Sequence, residues 1–209
     1  MVVGSLSLTQ VVFVRSGMKL MPKRCFAVLV IGVPLLDAVN ARASDACTAA
    51  VPDTLRVVIS EQYPKFRLPR QSDYDAEDIK YNVAHGGTGC LGVAHGAYYR
   101  EGAATDYAIN LTSAEGAHTL LLVAHPVHPT WRLRLVWDWG NSAAGHLFVE
   151  TTAPGRYERT EALDGPASEP GERESYTSKR QGIVAGTIES SGAAFFFDGN
   201  AWIHVWISD

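Results

Sequence analysis

Thr130-Trp-Arg-Leu-Arg-Leu-Val-Trp-Asp-Trp139 decides the fold. Trp131, Leu133, Leu135, Trp137 and Trp139 fall at every second position, with Arg132, Arg134, Val136 and Asp138 between them. That two-residue period describes a strand with one apolar face and one mostly charged face. The segment from His118 to Ala124 supplies the other arm of a hairpin. Upstream, Thr105-Asp-Tyr-Ala-Ile-Asn-Leu111 places Tyr107, Ile109 and Leu111 on one side; downstream, Leu147-Phe-Val-Glu-Thr151 continues the meander. Near the end, Gly186 to Phe197 and Ala201 to Ile207 flank Asp198-Gly199-Asn200, whose turn chemistry predicts a second hairpin. Aromatic Phe195, Phe197, Trp202 and Trp206 lie across it and set its register. The expected class is mainly β within α+β: an antiparallel meander sheet or small sandwich, with one sheet face packed and one wet.

One helix precedes the strands. Over 51–63, Pro52 suits a first turn, Asp53 can cap, and Leu55, Val58, Ile59 and Tyr63 share a face before Pro64 stops the run. Residues 65–78 read as loop with a short turn of helix, and the two-residue period is expected from Val83 onward. Pro154 to Gln181 is dominated by Pro, Gly, Glu, Ser and Arg and predicts a long mobile loop.

The N-terminal reading is an address. Lys19, Lys23 and Arg24 precede an apolar run from Cys25 to Leu36, and Ala41-Arg42-Ala43 places small residues where a signal peptidase reads them. The run is shorter than the ~20 residues of a membrane-spanning helix, and Pro34 and Asp37 interrupt it. We expect residues 1–43 to be an over-extended start plus a signal peptide, and 44–209 to be one exported domain, periplasmic or secreted. Met18 or Met21 is the more natural start.

Without residues 1–43 the chain loses Arg15, Lys19, Lys23, Arg24, Arg42 and the acidic Asp37, so its formal charge moves from −4 to −8. An acidic domain repels nucleic acid and anionic membranes, so neither is expected as partner, whereas a cationic protein is compatible. Two cysteines remain, Cys47 and Cys90. In an oxidising compartment they are a disulfide candidate, the alternative being two separate buried thiols.

There is no Gly-x-Ser-x-Gly elbow, no His-Glu-x-x-His and no Gly-rich phosphate loop. Val-Ala-His recurs at His85, His95 and His125, with His128 close behind. Brought together, such imidazoles hold zinc or copper, but apart from His125 and His128 the spacings match no short ligand motif. We read them as strand-end residues beside Gly or Pro. The Trp stripe at 131, 137 and 139 reads as a core face rather than a carbohydrate platform, with Trp139 at the strand end the one part left for exposure.

Three short motifs carry a resemblance. They are Tyr63-Pro-Lys-Phe-Arg-Leu-Pro69; Gly96-Ala-Tyr-Tyr-Arg-Glu-Gly102 leading to Asp106-Tyr-Ala108; and Phe196-Phe-Asp-Gly-Asn-Ala-Trp202 running to Trp206-Ile-Ser-Asp209. Their order resembles exported bacterial proteins with a single FG-GAP/VCBS-like core. In those proteins an Asp-rich loop before a strand looks like a calcium site. Here Ala97, Tyr99 and Glu101 stand where aspartates are expected, and the spacing to Asp106 is one residue longer. Glu101 and Asp106 alone do not make a tight site. The expectation is therefore a loop that keeps its structural job, with no calcium or other cofactor.

The resulting functional expectation is a non-enzymatic, extracytoplasmic binding protein. Its fitting role is that of an inhibitor or immunity protein against a cell-wall-degrading enzyme, with irregular loops at 84–104 and 154–181 inserting into a cleft. Tyr98, Tyr99, Arg100 and Trp139 are the candidate contact residues. The alternative is a stand-alone structural or surface-associated β domain with a vestigial calcium-type loop.

Overall fold

Both hairpins form, but in two different sheets, each covered on two sides rather than one. A computed structural model describes residues 45–99 and 105–208. The expected signal segment, and the candidates Arg100 and Glu101, lie outside the described residues. Strands β1 (Phe66–Arg67) and β2 (Val93–Gly96) both pair with β3 (Asp106–Ser113), which is followed by β4 (Thr119–Val127) and β5 (Thr130–Asp138) to make a five-stranded antiparallel sheet. A second antiparallel sheet runs β11 (Trp202–Ser208), β10 (Gly192–Phe197), β9 (Gly182–Thr187), β6 (Leu147–Thr152). Two further strands, β7 (Gly155–Glu158) and β8 (Ser175–Ser178), pair as a ribbon.

These pieces stack in four layers separated by three cores. Helices α1 (Ala46–Ala49) and α2 (Asp53–Gln62), with the link between them, lay Cys47, Val51, Leu55 and Ile59 on Ile109, Leu111, Leu122 and Ala124 of the first sheet. The other face of that sheet presents Ala108, Leu121 and Val123 to Val149, Ile183, Ala185 and Phe195 of the second. Beyond the second sheet, Phe196 and Ile203 pack under Tyr157 and Tyr176 of the ribbon. Strands buried on both faces read as continuous apolar runs. That is the composition of Leu120–Ala124 and of Ala193–Phe197, which the one-sided expectation left unexplained.

The decisive stretch carries one irregularity. Leu121 pairs with Trp137 but Leu122 pairs with Leu135, so Val136 is an extra residue in β5. A bulge of this kind flips the side-chain phase beyond it. Trp131 and Leu133 therefore pack toward the helical layer, whereas Val136, Trp137 and Trp139 turn to the core between the sheets. Leu135, caught at the crossover, is 50 % exposed. The five apolar residues do not share a face.

Three further expectations are corrected. The chain has three α-helices among the described residues, not one: α3 (Ala76–Ala84) occupies the segment read as loop and strand. Its first turn carries Glu77 and Asp78, which suit a helix N-terminus, and Ala76, Ile79 and Val83 recur at helical spacing, with Ile79 packed on the helix-side core. The expected strand from Gly186 to Phe197 is instead the end of β9, a turn and β10. The segment from Pro154 to Gln181 contains β7 and β8, and its middle is tied to β11, where the His204 amide donates to the Gly171 carbonyl at 3.0 Å and the Arg173 amide to the His204 carbonyl at 2.9 Å. There Glu172, 6 % exposed, accepts the Ser168 amide at 2.7 Å, the Glu169 amide at 3.0 Å and Arg159 Nε at 2.9 Å. Cys47 and Cys90 form a disulfide that ties α1 to the segment entering β2.

Candidate functional site

Asp106 begins β3 and is wholly buried. Its carboxylate has three donors: Oδ2 accepts the amides of Tyr98 at 2.8 Å and Tyr99 at 3.0 Å, and Oδ1 accepts His125 Nδ1 at 2.6 Å. A buried carboxylate needs such compensation, since an unpaired one is strongly disfavoured. The chain leaving β2 is thereby folded back onto the start of β3. These contacts also decide how Asp106 meets the calcium expectation. A cation needs oxygen lone pairs free to converge on it, whereas these face N–H dipoles. At Asp106 three of the carboxylate's roughly four acceptor sites are already taken by N–H groups.

Locking Nδ1 on Asp106 fixes the imidazole of His125, which borders a groove of about 450 Å³. Tyr99, Phe197 and Trp202 form an aromatic wall: Tyr99 lies 4.6 Å from Phe197 and 5.6 Å from Trp202 between ring centres, and 4.9 Å from His125. Trp202 Nε1 donates to the Tyr99 hydroxyl at 3.3 Å. Burial raises the Tyr99 pKa, a shift that this hydrogen bond and Arg134 partly oppose. Arg180 holds the wall from behind by donating to the Tyr99 carbonyl. The facing side is Arg132, Arg134 and Leu135 of β5, and the floor ends at Asn200 and Ala201 in the β10–β11 turn. That turn is shaped by Asp198, which accepts the amides of Asn200 and Ala201 at 2.8 and 2.9 Å, and by Gly199 at φ 111°. Among the described residues, neither Arg132 nor Arg134 has a carboxylate within ion-pairing distance. The volume is that of a typical ligand site, roughly 300–1,000 Å³.

The sequence-derived candidates divide. Tyr99, Asp106 and His125 come together at this groove. Tyr98 is adjacent but 1 % exposed: its hydroxyl meets Thr151 Oγ1 at 2.7 Å, burial raises its pKa, and it offers no surface to a partner. Trp139 is half-buried against Trp137 and Phe195, a core position rather than an exposed platform. His85 closes the end of α3, with Nδ1 2.8 Å from the Tyr81 carbonyl, and stacks on Tyr81. His95 sits beside Tyr107, and His128 lies exposed in the β4–β5 turn. The four histidines do not converge. Among the described residues no three His, Cys, Asp or Glu side chains gather around a metal-sized space.

Sequence reading missed Arg132, Arg134, Phe197 and Trp202 as members of one site. The arginines stood out as a charged strand face, but nothing local says that the tip of a distant hairpin faces them. Compared with protein-family models, curated proteins and solved structures, the chain matches none of them.

Proposed function

We propose that this chain is a non-enzymatic binding protein acting outside the cytoplasm, with the aromatic and arginine groove as its recognition surface. Its role would be that of an inhibitor or immunity protein directed at a cell-wall-degrading enzyme. The observation that carries the reading is the make-up of the groove. Two guanidinium groups without carboxylate partners among the described residues face three packed aromatic rings. Arginine and aromatic side chains are the residues that dominate protein recognition. Among the described residues the one hydroxyl lining the groove, that of Tyr99, accepts the Trp202 N–H and is held protonated by burial, so it is a poor nucleophile. The Cys47–Cys90 bridge supports a location where thiols are oxidised.

The experiment is to incubate the purified exported protein with secreted wall hydrolases encoded beside it and to follow lysis of cell-wall substrate. Inhibition together with co-elution is the expected result. Full lysis in every mixture, with no co-eluting protein, overturns the reading. A second reading, a structural domain with a vestigial calcium-type loop, is favoured by one observation: Asp106 closes the loop with three N–H donors where the resembling family looks to place a cation.

A further inference from the structure

The strand that carries the groove's arginines is an open edge. In the first sheet β5 pairs with β4 alone, and among the described residues no other backbone hydrogen bond reaches residues 130–138. Its outer row of N–H and C=O groups is a template for another strand. Along that edge the side chains alternate in a readable way. Arg132 and Arg134 lie on the groove side, opposite His125 and Val123 in β4. Leu133 lies on the other side, opposite Ala124, and Leu135 between the two cores is half exposed.

We propose that β5 receives an extended, acidic segment of a partner protein, added to the sheet as a further strand. This rests on the binding-protein reading and names the chemistry of its contact. A strand laid beside β5 presents alternate side chains to the two faces. Those next to Arg132 and Arg134 are met by guanidinium forks, which match carboxylates in a bidentate manner. Those between them meet Leu133 and Leu135. The edge thus reads a Glu-or-Asp, apolar, Glu-or-Asp pattern over its two faces, and an apolar or aromatic side chain at the end of the segment reaches the wall of Tyr99, Phe197 and Trp202. The same arginines disfavour a second copy of this edge, because like charges opposite one another repel. The domain carries a formal charge of −8 once residues 1–43 are set aside, yet its open edge is cationic. The contact surface is therefore the reverse of the overall charge.

The test uses the exported protein with a short acetylated peptide that alternates Glu and Val, followed by tryptophan fluorescence at low salt. Three comparisons accompany it: the Lys–Val counterpart, the same Glu–Val peptide with its backbone amides methylated, and polygalacturonate as an anionic saccharide. Expected are binding of the Glu–Val peptide alone, weakening by about tenfold or more in Arg132→Ala/Arg134→Ala, and a switch to the Lys–Val peptide in Arg132→Glu/Arg134→Glu. Both sites are exposed, and an unchanged melting temperature verifies that the variants fold. Equal binding of the methylated peptide, preference for polygalacturonate, self-association through β5, or no binding overturns the proposal. If a hydrolase is still inhibited by the charge-reversed variant, the edge assignment falls and the binding-protein reading stands. If the peptide binds while every hydrolase is ignored, the reverse holds.

Discussion

Asp106 and His125 face each other across β3 and β4, one step beyond the Tyr107–Ala124 pair, with His125 Nδ1 2.6 Å from a carboxylate that has no exposure to solvent. The contact does two things at once. It closes the turn that places Tyr99 on the groove wall, and it fixes the imidazole that borders the same groove.

Removing the carboxylate should therefore cost stability and groove shape together. Asp106→Ala leaves two amides and an imidazole N–H without an acceptor, at roughly 1–3 kcal/mol for each buried group. We expect a loss of about 3 kcal/mol or more in urea unfolding, with Asp106→Asn intermediate because its one carbonyl keeps part of the set. A change within about 1 kcal/mol for the alanine variant would contradict the role assigned to Asp106.

The bulge at Val136 separates two residues that a plain alternation treats alike. Trp137 contacts Trp139, Phe195, His204 and Trp206, whereas Leu135 is half exposed. Trp137→Ala should cost about 3–5 kcal/mol, the range for large aromatic truncations in a core. Leu135→Ala should cost under ~1 kcal/mol. Equal penalties in chemical denaturation would mean that the phase does not shift at Val136.

The Cys47–Cys90 bridge spans 43 residues and pins α1 over the helix-side core. The chain-entropy relation assigns such a loop roughly 4 kcal/mol. The Cys47→Ala/Cys90→Ala variant, or the reduced protein, should melt at markedly lower temperature, and exchange of amides in α1 and α2 should speed up first. Unaltered melting under reductant would remove the bridge from the stability account.

Acid should weaken the fold through Glu172. Burial opposes its ionisation, but the Glu169 and Ser168 amides and the Arg159 guanidinium outweigh that and hold its pKa at about 2, against an ordinary 4.5. With the folded value depressed, the unfolded chain binds the proton more readily, so the contribution is present above pH 4.5 and is lost as pH falls toward about 2. Asp73, held low by Arg67, and Asp138, held low by the Gly140 amide and His118, add to the same slope. Glu172→Gln should be less stable near neutrality and flatter between those pH values. A variant with the parental acid profile would exclude Glu172 as a contributor.

Local patterning carried much of the architecture. Tyr107, Ile109 and Leu111 do share a core face, Leu55 and Ile59 are the buried side of α2, and Asp198-Gly199-Asn200 does turn the last hairpin. These features depend on nearest neighbours. What was not legible depends on partners far along the chain. The second covered face of β3 and β4 is invisible until the second sheet is placed, and α3 is only 9 residues long with no fully buried side chain, so its apolar period is short. The ribbon of β7 and β8 is held by Tyr157 and Tyr176 on Phe196, two rings in a polar stretch. The candidate site followed the same rule. Short motifs mark Asp106, His125 and Tyr99, while Arg132 and Arg134 gain a role only with Phe197 and Trp202 on the same groove.

Val136 also marks the one place where this strand can change length. Excising that amino acid leaves Leu122 opposite Leu135 and Leu121 opposite Trp137, and keeps the Trp131–Leu133 pair and the Trp137–Trp139 pair on their two separate faces. Inserting a residue between Leu133 and Leu135 instead would swing one of those pairs out into water. Gaps among relatives of this strand should therefore gather at Val136 and nowhere else along it.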